Sequence, residues 1–279
     1  MKNIDALIAV LYGLVQGITE WLPISSTAHL MLLRRWVPTP ISESAFSLFL
    51  VAVQLASALA VVALYLPRLI PVRAAGEKSD LASVRSLWTR MLVGCLPAGA
   101  VGILLDDALD AFFRDQGRSE AAICVTLVLY GFLFLLIERV FRCKTRKNLL
   151  PEEMSLGDAF GIGCFQILAL IPGTSRSGAT VIGAMCLGYE RGRAAEFSFF
   201  LAIPMMLGAT LLRAVKLFFE GVALSVGEIV FFVIGSAAAF FVSLAALRFL
   251  VAFVRRRGFA LFGWYRIALS VLIFLLMAT

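Results

Sequence analysis

Apolar runs long enough to cross a lipid bilayer recur along this 279-residue chain, and they leave little choice of fold. A helix needs roughly 20 apolar residues to span the hydrocarbon. Six stretches approach that length: 46–67, 88–105, 121–138, 196–215, 228–251 and 260–278. Two further apolar segments, 4–36 and 158–189, are interrupted midway by LPISST and IPGTSRSG. Proline removes a helical hydrogen bond and crowds the preceding turn, so each segment reads as two half-helices. The expected fold is an all-α polytopic membrane protein, with six transmembrane helices plus two re-entrant broken-helix hairpins in one integral membrane domain, 1–279.

Hydrophobic residues make up 61% of the chain and charged residues 15%, with the charges clustered between the apolar runs. The net charge of +7 would suit nucleic acid, yet no basic face or nucleic-acid motif accompanies it, so no such partner is expected. Topology accounts for the charge instead. Arg139, Arg142, Lys144, Arg146 and Lys147 follow the third run and Arg255, Arg256 and Arg257 the fifth, while Arg68, Arg73, Lys78, Arg85 and Arg90 follow the first. Basic residues concentrate in cytoplasmic loops, so these loops are expected inside. The loop carrying Asp106, Asp107, Asp110 and Asp115 is then outside. Segment 4–36 would enter and leave from the outer face, and 158–189 from the cytoplasm. Cys95, Cys124, Cys143, Cys164 and Cys186 lack metal-site spacing and read as buried packing residues. The N-terminus lacks a small-residue cleavage pattern and is expected to be part of the fold.

The two halves resemble each other. GLVQGITEWLPISST at 13–27 parallels GCFQILALIPGTSRS at 163–177, and AFSLFLVAV at 45–53 parallels EFSFFLAIP at 196–204. Repeat one covers about 1–140 and repeat two about 155–279, each with one broken hairpin and three spans. An odd number of spans inverts the second copy, giving an inverted-topology repeat whose helix breaks meet near the midplane around a polar site.

Gln16 and Glu20 are four residues apart, hence on one helix face, inside an otherwise apolar half-helix. Ser25, Ser26 and Thr27 begin the next half-helix, and His29 follows Ser26 by three residues on a shared face. The second break offers Thr174, Ser175, Arg176, Ser177 and Thr180 at the start of its returning half-helix. Two helix N-termini with free N–H groups, hydroxyls and one guanidinium favour a multi-oxygen anion such as phosphate or pyrophosphate. His29, the one histidine, is a candidate acid or base; Glu20 could orient it, act as base, or ligate a divalent cation. Ser26 is the candidate nucleophile, and direct attack by water is the alternative.

QGITEWLPISSTAH at 16–29 and PGTSRSGAT at 172–180 resemble the two signature motifs of the undecaprenyl-diphosphate phosphatase family of bacterial inner membranes, the bacitracin-resistance type. The likeness spans nearly the whole chain. It implies catalytic roles for Glu20, Ser26, His29 and Arg176, and substrate contacts from Gln16, Ser25, Thr27, Ser175, Ser177 and Thr180. It also implies a divalent cation, Mg²⁺ or Ca²⁺, at Glu20. Gln16 occupies a position where the family uses Glu or Gln and cannot serve as an anionic ligand; Ala28 replaces a Gly common in the family. The implied reaction removes the terminal phosphate of undecaprenyl diphosphate, regenerating the carrier lipid for peptidoglycan synthesis and conferring bacitracin resistance. A homodimer among membrane lipids and a site opening to the outer face are also implied.

Simpler readings compete at several positions. Glu20 and Arg176 could be a structural ion pair joining the halves, and hydroxyls such as Ser25, Thr27, Thr174 and Thr180 could bond back to their own helix. Gln16 and Gln166 could serve as interhelical contacts, and His29 as a packing residue. Glu196 reads as a first-turn carboxylate at the start of the fourth span. Arg213, Lys216 and Arg266 read as interface cations. A polyprenyl-phosphate transporter or flippase is the alternative function, since inverted repeats with broken helices suit alternating access. A phosphohistidine mechanism with a second histidine as acid is excluded by the single histidine.

Overall fold

The computed structural model describes residues 3–71, 73–74, 77–78, 81–113, 115–140 and 147–277. Arg142, Cys143, Lys144 and Arg146 lie outside the described residues, as do the side chains of Arg73 and Lys78. The helices are α1 (Asn3–Thr19), α2 (Ser26–Trp36), α3 (Glu43–Leu64), α4 (Leu66–Leu69), α5 (Leu81–Phe113), α6 (Gln116–Val140), α7 (Leu156–Ile167), α8 (Arg176–Cys186), α9 (Arg191–Phe219), α10 (Val226–Arg257) and α11 (Ala260–Met277). A two-residue ladder pairs β1 (Arg73–Ala74) with β2 (Glu77–Lys78), and short 3-10 turns cover Pro151–Glu153 and Leu168–Leu170.

Six of these helices, α3, α5, α6, α9, α10 and α11, are long and apolar enough to cross a membrane, and each carries one of the expected runs. Their outer faces are apolar: Ile103, Leu104, Phe132, Phe218, Phe241 and Phe274 are exposed, as expected of helices solvated by lipid. Pro97 and Pro204 sit inside α5 and α9 without ending them.

The broken segments lie against long helices. α1 runs alongside α10 in the same direction, with Gly17 on Ala239 and the Ser243 hydroxyl donating to the Gly17 carbonyl at 3.4 Å. It stops beside the middle of α10. At Gly17 a β-carbon would stand 2.7 Å from the Ala239 carbonyl oxygen, so the backbones approach only because a side chain is missing. α7 repeats this against α5, where Arg90 donates to the Met154 carbonyl and Gly163 packs on Gly94 and Pro97. α2 returns toward the start of α1, where the Tyr12 hydroxyl donates to the Val37 carbonyl at 2.8 Å. α8 returns toward the start of α7, where Tyr189 donates to Asp158 at 2.7 Å.

The two ends of the bundle differ in charge. One gathers Asp106, Asp107 and Asp110 with Arg213 and Lys216, and Glu43 with Arg34. The other gathers Arg68, Lys147, Arg191 and Arg193 with Glu138, Glu152, Asp158 and Glu196, and adds Arg139, Arg255, Arg256 and Arg257.

Three expectations are corrected. α9 begins at Arg191, so Glu196 is not in its first turn; it is a buried acceptor held by Arg68 and Arg193. Arg213 and Lys216 are ion-paired with aspartates rather than reaching for the interface alone, and Arg266 is fully buried. Cys164 and Cys186 are exposed, and Cys95 and Cys124 are half-buried rather than buried.

Candidate active site

Where α1 ends and α2 begins, and where α7 ends and α8 begins, the chain makes the same unusual move. Ser25 and Ser175 are the non-glycine residues with positive φ among those described, at 72° and 64°. Each is the N-cap of the helix that follows, its hydroxyl accepting from the Ala28 N–H at 3.4 Å and the Gly178 N–H at 3.2 Å. A left-handed backbone is unfavourable for a residue with a β-carbon, and here it aims the following helix N-terminus at the opposite break.

Glu20 stands where the breaks meet. It is 6% exposed. One carboxylate oxygen accepts from Gln16 Nε2 at 3.0 Å and from the Ser26 hydroxyl at 2.8 Å; the other faces Arg176 Nη2 at 3.4 Å. Arg176 also donates to the Ser198 carbonyl at 2.8 Å, and its guanidinium lies 5.9 Å from the Trp21 ring. Ser177 donates to the Glu20 carbonyl at 3.2 Å, and Thr180 meets Ser198 at 2.7 Å.

A cavity of about 210 Å³ opens over this cluster, with Glu20, Ser25, Ser26, Thr27, Ser175 and Arg176 in its wall. A water takes about 30 Å³ of liquid, so the space admits a multi-oxygen anion. Gln54 and Gln166 also line it, against an apolar side formed by Met205 and Met206. Both side-chain amide atoms of Gln166 are buried without a hydrogen-bond partner among the described residues.

Of the predicted site residues, Glu20, Ser25, Ser26, Thr27, Ser175 and Arg176 reach the cavity wall. Gln16, Ser177 and Thr180 are buried behind it and hold the wall in place. His29 lies elsewhere. Its Nδ1 is 2.7 Å from the Ser25 carbonyl and its Nε2 is 2.7 Å from the Tyr265 hydroxyl, with the two rings stacked. Ser26 and His29 therefore do not form the pair that their spacing suggests, and the Ser26 hydroxyl donates its hydrogen bond to Glu20 instead.

Arg266, which reads from sequence as an interface cation, is part of the site's frame. It donates to the Pro23 carbonyl at 2.9 Å in the first break, and to the Gly173 and Thr174 carbonyls at 2.8 and 3.1 Å in the second. It thus ties the two breaks together from α11, beside the Tyr130 ring. The signal was present: Arg266 is well inside the final apolar run, where a cation is too costly to keep without a task.

Glu20 is the one carboxylate lining the cavity, and no group of three metal-type ligands occurs among the described residues. A single carboxylate suits a hard cation that keeps waters and arrives with a phosphate, rather than one held by a protein cage.

Over residues 9–272 the chain matches the family described as bacitracin resistance protein BacA. An undecaprenyl-diphosphatase of Enterococcus faecalis is 40% identical over 277 residues, covering 99% of this chain and 98% of that protein. Undecaprenyl-diphosphatase 1 of Clostridium acetobutylicum is 42% identical over 279 residues, 99% of each. An undecaprenyl-diphosphatase of Lachnoclostridium phytofermentans is 43% identical over 274 residues, 98% of this chain and 97% of its own length.

Proposed function

Because this chain belongs to the bacitracin resistance protein BacA family, we infer that it is a membrane undecaprenyl-diphosphatase whose chemistry is done by Glu20, Ser26 and Arg176. It hydrolyses undecaprenyl diphosphate to undecaprenyl phosphate and inorganic phosphate, which returns the carrier lipid to cell-wall synthesis. The transporter reading is not favoured, since the relatives carry a hydrolase name.

The contact that carries the mechanism is the 2.8 Å hydrogen bond from the Ser26 hydroxyl to Glu20. Arg176 and the N-termini of α2 and α8 hold the terminal phosphate and offset the charge that gathers on it. Ser26 Oγ forms a bond to the terminal phosphorus as the bridging P–O bond breaks; undecaprenyl phosphate leaves and the serine proton passes to Glu20. Water then attacks the phosphoserine, the P–Oγ bond breaks, Glu20 returns its proton to Ser26, and the water proton leaves with inorganic phosphate. Both ring nitrogens of His29 are engaged away from the cavity, so the base is assigned to Glu20. A Mg²⁺ or Ca²⁺ held by Glu20 would neutralise phosphate oxygens when bound.

The proposed setting is two re-entrant hairpins, α1–α2 and α7–α8, in an inverted repeat. It is supported by the matched pairing of α1 with α10 and α7 with α5, and by the twin left-handed serines. In the inner membrane the basic end faces the cytoplasm and the cavity opens outward. Met205, Met206 and Ala209 support that opening, since they lie on the stretch of α9 leading to the aspartate-rich end. The homodimer stays part of the proposal on the family resemblance.

The test is release of inorganic phosphate from a long-chain isoprenyl diphosphate by purified protein. Activity that chelators suppress and that Arg176→Ala abolishes is expected. Tight binding of the lipid without phosphate release, under any divalent cation, would defeat the assignment.

A further inference from the structure

Away from the active-site cavity, a cleft of about 600 Å³ lies at the basic end of the bundle, lined by Glu138, Arg139, Arg191, Arg256, Arg257 and Ala260. Four guanidiniums share it with one carboxylate. That carboxylate is already committed: Glu138 is bound twice by Arg191, once from Nε at 2.8 Å, and it accepts the Phe259 N–H at 2.9 Å. Among the described residues the side chains of Arg139, Arg256 and Arg257 have no ion pair or hydrogen bond, so the described lining carries three positive charges beyond the Arg191–Glu138 pair.

The arrangement is built rather than loose. Gly258 joins α10 to α11 at φ 71°, and a β-carbon there would sit 2.7 Å from the Glu138 carboxylate. The turn can therefore close only on glycine, and closing it holds Arg256 and Arg257 beside the first turn of α11. A helix start favours negative charge for the same reason the arginines do. Below the cleft, α6 and α11 present Phe132, Leu136, Leu261 and Trp264, each more than half exposed. A soluble anion would use the arginines alone. A ligand with a charged head and an apolar tail would use both, and basic pockets between membrane helices are suited to such headgroups.

We propose that this cleft, between the ends of α6 and α10 and the start of α11, binds the headgroup phosphate of an anionic phospholipid in the leaflet at the basic end. The proposal does not rest on the hydrolase reading, because it involves none of the residues at Glu20.

Delipidated full-length protein in neutral detergent, titrated with phosphatidylglycerol or phosphatidylcholine and read by native mass spectrometry, tests it. One saturable phosphatidylglycerol adduct is expected, with phosphatidylcholine failing to compete. With each arginine near the surface contributing on the order of fivefold, Arg256→Ala with Arg257→Ala should weaken binding about 30-fold and Arg139→Ala about fivefold. Arg118→Ala, at the opposite end, should leave it unchanged. Phosphate release by the double variant at the wild-type rate reports an intact fold. Equal binding of the two lipids, equal affinity in the double variant and wild type, or displacement by inorganic phosphate at matching concentration overturns the proposal.

Discussion

A carboxylate with 6% exposure inside a membrane bundle has to be matched by donors, and Glu20 has Gln16, Ser26 and Arg176. General acid–base catalysis is worth about 10²–10⁴ in rate, so Glu20→Gln should lower kcat within that range while the protein still binds lipid diphosphate. His29→Gln should cost less than about tenfold, since its nitrogens serve the Ser25 carbonyl and Tyr265 rather than Ser26. Steady-state phosphate release by the two variants side by side checks both; a larger loss for His29→Gln would return the base role to the imidazole. Glu20, Ser26 and Arg176 were legible in the sequence because polar groups inside apolar segments need a reason to be there. The placement of His29 was not, because it depends on Tyr265, far along the chain. Arg266 reads from sequence as one of several cations at span ends, and its task is visible only once the two breaks it joins are seen side by side.

The breaks between half-helices were legible because proline and hydroxyl residues coincide in LPISST and IPGTSRSG. Proline alone does not decide the matter: Pro97 and Pro204 stay within α5 and α9, where no run of small polar residues offers the chain another path. The left-handed serines were not legible, since φ at an N-cap depends on what the returning helix must face. They make a specific prediction about stability. At Ser175, alanine loses the hydroxyl that caps Gly178 and keeps the strained β-carbon, whereas glycine loses the cap and the strain together. Ser175→Ala should be the less stable of the two by about 1 kcal/mol, read as a lower melting temperature in detergent. Equal melting would mean that the positive φ carries no strain.

For the molecule as a whole, six helices long and apolar enough to cross a membrane and a charge difference between the two ends follow from run length and the positions of arginine and aspartate. What the sequence could not supply was the pairing of elements, because contacts such as Gly17 with Ala239 join residues more than two hundred positions apart. The proposed sidedness has a direct check in a cysteine-free background. In intact cells a membrane-impermeant thiol reagent should label Asp107→Cys, and should label Arg257→Cys only after the membrane is opened. The reverse pattern would invert the topology and place the cavity toward the cytoplasm.

The three carbonyls gripped by Arg266 carry a consequence for biogenesis. Both loops that make the pocket are translated well before the residue that fastens them, so a nascent chain can insert every earlier crossing and still be inert. Competence would arrive only as α11 leaves the ribosome, and a premature stop just upstream of it would yield a membrane-embedded protein without turnover.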